Sequence, residues 1–246
     1  LKMTRYGSAD VGFAYANGRN VLGTLTSLED TREAMLEETT VLGSTYEEHA
    51  FVGVKSYSLS QQGFYDDAAL SSNEALLTPG ARVFSFAPEG SSVGKKFVGA
   101  LLAQVNYIRQ ISRGALHKAN ATYESGGGAE DGIILHSPAA AETAAGNTEG
   151  ALSQDAGAAT TNGGAGYLQL SALTLGGFTS FTAKVRHSAD DITYADLLTF
   201  TAAAVAPTAE RKTVAGNVNR HLATSWTFDG AGAAPSATFV IGFARN

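Results

Sequence analysis

The 246-residue sequence has no cysteine, one tryptophan, five prolines and no long apolar run. Each shortage closes a class of function. Without cysteine there is no disulfide, no thiol nucleophile and no thiolate metal site, and the redox compartment stays open. No apolar stretch approaches the roughly 20 residues that a membrane-crossing helix needs. No signal-peptide pattern opens the sequence at Leu1. Charge is scarce and acidic: 17 Lys and Arg against 23 Asp and Glu give a net charge of −6. Tight nucleic-acid binding needs clustered cations, so this balance argues against it. It suits a surface past which a polyanion slides without sticking.

What remains is a globular β chain. The hydrophobic fraction is 44%, and the length fits one large or two small domains. Composition changes near residue 137. Residues 1–137 hold nearly all the large charge clusters, whereas Ser137 to Gly166 turns into Ala, Gly, Thr, Ser and Asn and reads as a linker followed by small-residue strands and turns. Further on, Phe181, Ala183 and Val185 alternate with Thr182, Lys184 and Arg186, and Phe239, Ile241 and Phe243 alternate likewise. Period two with Gly turns at Gly176-Gly177 and from Gly230 to Pro235 predicts a β-sandwich or jelly roll. In the first half, Leu28 to Glu38 reads as a weak helix and Asp67 to Leu77 as a second, with the Asp66-Asp67 pair as its cap. Phe51-Val52-Gly53-Val54 reads as a short apolar turn. Val98 to Ile111 has apolar residues at helix-like spacing but also the β-rich run Gln104-Val105-Asn106-Tyr107-Ile108, so the two readings conflict.

Catalytic patterns are weak. Gly90-Ser91-Ser92-Val93-Gly94 has nucleophile-elbow spacing but follows Pro88-Glu89, so a hairpin loop is the better reading. His49, His117, His136, His187 and His221 have no metal-ligand spacing. Adjacent carboxylates such as Glu37-Glu38, Glu47-Glu48 and Asp190-Asp191 point to opposite faces of a strand and seldom form a two-carboxylate site. No enzyme activity, cofactor or metal is expected. Trp226, with Tyr167, Tyr194 and Arg220, fits either a sugar-stacking face or a sandwich core, and the core is favoured. Trp226 and Arg220 are the contacts that an outer-domain ligand would use.

The order of the motifs carries a resemblance. Thr40-Val41-Leu42-Gly43-Ser44, then Phe51-Val52-Gly53-Val54-Lys55, then Leu59 to Asp67 resemble the N-terminal domain of major tail tube proteins of long-tailed bacteriophages. There a T-x-x-G-[DS] stretch leads to a Gly turn and a strand ending in G-x-[FY]-D-D. Pro88-Glu89-Gly90, Gly94 and Asp131-Gly132-Ile133-Ile134-Leu135 resemble later parts of that domain. Runs such as Arg186-His187-Ser188-Ala189-Asp190 and Val214 to Arg220 resemble small β domains of phage virion proteins. Ser44 departs from the usual Asp.

The resemblance implies a mainly β fold, with a tail-tube barrel or sandwich domain over 1–137. It implies an immunoglobulin-like or jelly-roll-like sandwich over 138–246, on the tube exterior, and favours strand for Val98–Ile111. It implies hexameric rings that share one β-barrel and stack into a tube, through which the genome passes without specific binding. Other tail proteins (tape measure, tail terminator, baseplate) would be its partners, in a virion assembled in the host cytoplasm. Assembly contacts fall on Glu38, Thr40, Gly43, Ser44, Phe51, Gly53, Asp66, Asp67 and Gly132, and the loop from Glu38 to Phe51 would staple rings. A capsid decoration protein and a carbohydrate-binding β-sandwich are the alternatives.

Overall fold

Strands dominate, as the alternating patterns predict. The computed structural model describes residues 6–42, 45–68, 71–125 and 127–246, with Met35, Phe51, Val52 and Val54 by backbone alone. The first half contains β1 (Phe13–Ala16), β2 (Arg19–Asn20), β3 (Leu25–Glu38), β4 (His49–Phe64) and β5 (Ala81–Ala87). It continues with β6 (Lys96–Gln110), β7 (Lys118–Ser125) and β8 (Ala129–His136), and holds one short helix, α1 (Ser72–Leu76). The second half contains β9 (Gly146–Asn147), β10 (Gln154–Asp155), β11 (Gly164–Thr174) and β12 (Ser180–Ser188). β13 (Ala195–Thr199), β14 (Thr208–Val214), β15 (His221–Asp229) and β16 (Ser236–Arg245) complete it.

The larger sheet forks. β7 and β8 run end to end along one side of β6, pairing Glu124 with Ala103 and Ala129 with Ala100. At the break between them, Gly128 has a φ of +80°, which favours glycine. Beyond β7 the sheet continues through β4 to β3. Beyond β8 it continues through β16 and β11 to β14. On the far side of β6 lie β5, β1 and β2. The first half thus wraps into a nearly closed barrel around Phe84, Leu102, Leu59 and Tyr123, with Ala75 and Leu76 of α1 packed into the same core. A second sheet, ordered β10-β15-β12-β13, faces β11 and β16 as a sandwich. Its core joins Phe181, Val185, Leu222 and Trp226 to Leu168, Phe239 and Phe243. Each such side chain contributes about 1.5–3 kcal/mol on burial.

A third core lies between the halves. It joins Phe13, Tyr15, Val83 and Phe97 to Ala165, Tyr167 and Val240. The composition change at residue 137 falls just past β8, but both the sheet and this core cross it. Space there is tight: a methyl on Gly132 would lie 2.4 Å from the Phe243 carbonyl oxygen. Charge also bridges the junction, where Arg211 on β14 donates to Glu130 on β8 and to the Tyr167 hydroxyl.

Three local expectations need correction. Leu28–Glu38 is not helical; it is most of β3, paired residue by residue with β4. The Asp67–Leu77 helix shrinks to Ser72–Leu76, and its N-cap is Ser71, not an Asp. Phe51–Val54 is not a turn between elements but part of β4. There one residue of β3 opposes three of β4, and Gly53 takes a φ of +85°. The strand reading of Val98–Ile111 holds, within β6.

Candidate functional site

The surfaces that stand out are on β3, β4, β7 and the distal half of β6. Cross-strand pairs share a face. One face is core: Leu28 opposite Gln61, Leu59 opposite Tyr123, and Gln61 opposite Ala121. The Tyr123 hydroxyl donates to Gln61 Oε1 at 3.0 Å, which satisfies both buried groups. The other face is polar. Glu29, Thr31 and Glu33 stand opposite Ser60, Ser58 and Ser56, and β7 adds Glu124, Thr122 and Asn120.

Both margins of this four-stranded unit are free. Among the described residues no strand pairs with the outer side of β3, which is 14 residues long. On the opposite margin, the pairing of β5 with β6 ends at Ala81 and Ala103. Residues 105–110 of β6 then have β7 on one side and no strand on the other among the described residues. Unpaired backbone N–H and C=O groups on a long strand are a template for another chain.

At one end, β3 and β4 continue past Ser56 as a two-stranded arm of about 25 Å, at about 3.3 Å per residue. Its root is anchored. Arg32 lies over the Tyr57 ring at 5.9 Å and donates through Nη2 to Asp131 Oδ1 at 2.8 Å. That contact holds the Asp131 carboxyl below the usual range. At the tip, the Thr39 amide donates to the Glu48 carbonyl at 2.7 Å, and the Glu48 amide donates to Thr40 Oγ1 at 2.9 Å. Leu36, Val41, Leu42 and Tyr46 are exposed there, among Glu37, Glu38, Glu47 and Glu48.

At the opposite end, the turn from β6 to β7 makes an open groove of about 370 Å³ lined by Phe64, Tyr65, Ala115, Leu116 and His117. Arg109, Arg113 and Lys118 are exposed around it. Nearby, the Asp66 carboxylate accepts from the Ala68 amide at 3.0 Å, and its carbonyl accepts from the Asn73 amide.

The residues expected at assembly contacts are therefore dispersed. Glu38 and Thr40 are on the arm, together with Gly53 in its bulge; Phe51 pairs with Leu36 through its backbone. Gly43 and Ser44 lie outside the described residues. Asp66 and Asp67 sit at the groove end, and Gly132 is packed inside the junction. Trp226 is 5% exposed and its indole N–H donates to the Ala144 carbonyl at 2.9 Å, so it offers no face to a sugar. Arg220 is engaged with Asp155, Nε to Oδ1 at 2.6 Å. Ser92 sits in the β5–β6 loop with strand, not helix, after it. Among the described residues no three His, Asp or Glu side chains could hold a metal ion, and no helix is long and apolar enough to cross a membrane. Sequence reasoning missed the Arg32–Asp131 anchor, because 99 positions separate the partners. It missed the basic groove as well, although Arg109, Arg113 and Lys118 were visible as a cluster.

No protein family and no curated protein matches the sequence. Solved structures overlap it loosely. The tail of an empty gene transfer agent particle, refined helically with C6 symmetry, is 16% identical over 43% of this chain and 80% of its own, with a TM-score of 0.35. A chain from the virion of the native gene transfer agent is 16% identical over 52% and 98%, with a TM-score of 0.38. The SPP1 Dit protein, a hub of the adsorption apparatus in phages of Gram-positive hosts, is 8% identical over 94% and 98%, with a TM-score of 0.35.

Proposed function

We propose that this chain is a structural subunit of a bacteriophage tail, forming closed hexameric rings that stack into a tube for genome ejection. One observation supports the reading: among the described residues, a four-stranded unit has two free margins on opposite sides, β3 and residues 105–110 of β6. Pairing the first margin of one copy with the second margin of the next is a heterologous contact, and such contacts close into rings when the rotation permits. A closed barrel leaves no strand edge unpaired. The ring number of six comes from the tail-tube resemblance. The polar face with Glu29, Glu33 and Glu124 would line the bore, where carboxylates repel phosphate. The half after residue 137 would sit outside the tube, and the other tail proteins would meet its ends.

Sedimentation velocity and negative-stain imaging of the purified chain test this. Rings with a central hole are the expected result. Alternate residues of an edge strand direct their N–H outward, so of Glu29→Pro and Asp30→Pro one should spare the β3–β4 ladder yet abolish rings. A monomer at all concentrations, or intact rings in both proline variants, would overturn the reading.

A further inference from the structure

The second sheet carries a histidine whose ring is used as an acceptor. His187, half-buried on β12, takes the Asn219 amide N–H on its Nδ1 at 3.2 Å. A backbone amide nitrogen can only donate, so this contact fixes the tautomer: Nδ1 is bare and the ring proton sits on Nε2. Asn219 belongs to the loop of residues 215–220 between β14 and β15. That loop is held from several sides. Arg245 on β16 donates to the Asn219 and Val218 carbonyls. Val218 is wholly buried in the sandwich core, and its backbone exchanges hydrogen bonds of 2.8 and 3.0 Å with Thr160. The loop thus brings a core side chain with it, and is pinned by a neutral ring on β12 and a cation on β16.

A proton on Nδ1 would reverse this arrangement. It removes the acceptor that the Asn219 amide uses and sets one N–H against another. It also creates a second cation close to Arg245. Burial first, and then Arg245, push the His187 pKa below its ordinary value. The residues opposite His187 on β15 and β13 are Leu222 and Ala195, which carry no charge. Arg220, beside Asn219, is turned to Asp155, and His221, opposite Ser188, has its ring 3.8 Å from Asp191. Among the described residues no carboxylate pairs with the His187 ring. We infer that His187 is an acid-operated latch, and that a proton on its Nδ1 releases the 215–220 loop, with Val218, from β12 and the sandwich core. The sign follows from linkage. The folded value lies below the ordinary one, so the latch contributes fully above about pH 6.5 and is lost as pH falls toward the folded value. No contact between subunits enters the inference, so it stands or falls apart from the ring reading.

Hydrogen exchange read by mass spectrometry on the full chain tests this. Rates are corrected for intrinsic exchange and compared at about pH 8 and about pH 5, on either side of the ordinary histidine value and above the ordinary aspartate and glutamate values. Peptides covering residues 214–220 should lose protection severalfold at the lower pH, while peptides within β11 and β16 keep theirs. His187→Asn puts an amide oxygen where Nδ1 stands and cannot titrate, so it should hold the loop at both pH values. His221→Asn should respond as the parent does. Equal protection of 214–220 at both pH values overturns the inference. So does a response that persists in His187→Asn, or one that vanishes in His221→Asn. A measurement on the unaltered chain guards against a variant that fails to fold. Nitrogen NMR of the His187 ring at about pH 8 should show the proton on Nε2, and a ring protonated on Nδ1 would sink the latch.

Discussion

Two residues show what constrains this fold at the residue scale, one by space and one by charge. Gly132, an expected assembly contact, is packed closely against Phe243 and Phe97. A methyl there would lie 2.4 Å from both the Phe243 carbonyl oxygen and a Phe97 ring carbon. Backbone cannot step aside as a flexible side chain can. Gly132→Ala should therefore cost about 1–3 kcal/mol, the usual penalty of overpacking, read as a lower urea midpoint. An unchanged midpoint would show that the β8–β16 contact is looser than described. Asp190 shows a second kind of constraint. Its carboxylate accepts from the Thr193 and Ile192 amides and from Ser188 Oγ, at 2.9, 3.0 and 2.8 Å. These bonds favour the charged form and bring its pKa down to about 2. The folded value lies below the ordinary value of about 3.9. The group's contribution is thus fully present above about pH 4 and is lost as pH falls toward the folded value. Carboxyl NMR should show Asp190 titrating near 2 and the 188–193 amide shifts moving with it. Titration near 4 would mean that the turn is not held by this carboxylate.

At the scale of elements, burial decided what could be read. β12 was legible because one face packed on a core leaves period two in the sequence; Phe181, Ala183 and Val185 all face inward, whereas β16 is buried on both faces and shows its period only in the placing of Phe239, Ile241 and Phe243 on one of them. β3 was misread for the opposite reason. Beyond Thr31 its described side chains are exposed on both faces of the arm, so the sequence there has no apolar period. Glu33, Ala34, Leu36, Glu37 and Glu38 are good helix formers, and pairing with β4 overrides that preference. The free margins were invisible for another reason: no local signal reports the absence of a neighbouring strand. The arm's independence leads to an expectation. Joining Leu36 to Phe51 through an Asn-Gly turn removes its tip while preserving a hairpin. No core contact is lost, so the urea midpoint should shift by no more than about 0.5 kcal/mol equivalent. Polymer length by sedimentation should collapse. A large loss of stability would place the tip in a fold contact instead.

For the whole molecule, the question is whether the halves on either side of residue 137 are separate bodies. The change in composition argues for two, and the hydrogen bonding argues for one. β16 (Ser236–Arg245) lies between β11 and β8, so the first half gains its outer neighbour only when residues 236–245 are present. Phe13, Tyr15 and Phe97 are each 3% exposed or less and share their core with Tyr167 and Val240. A fragment ending at residue 137 would uncover these rings and free the outer edge of β8, a surface prone to aggregation. The physical expectation is one cooperative unit. Trp226 fluorescence reports the sandwich, and far-UV circular dichroism reports the strands of both halves. The two should give coincident urea transitions in the full chain. The 1–137 fragment should lack a dispersed amide spectrum even though it contains all of the barrel strands. Two separated transitions, or a soluble and well-dispersed fragment, would show that the boundary read from composition is also a boundary in free energy. The shared core of Phe97 and Tyr167 would then be a contact between finished domains rather than a part of how each one folds.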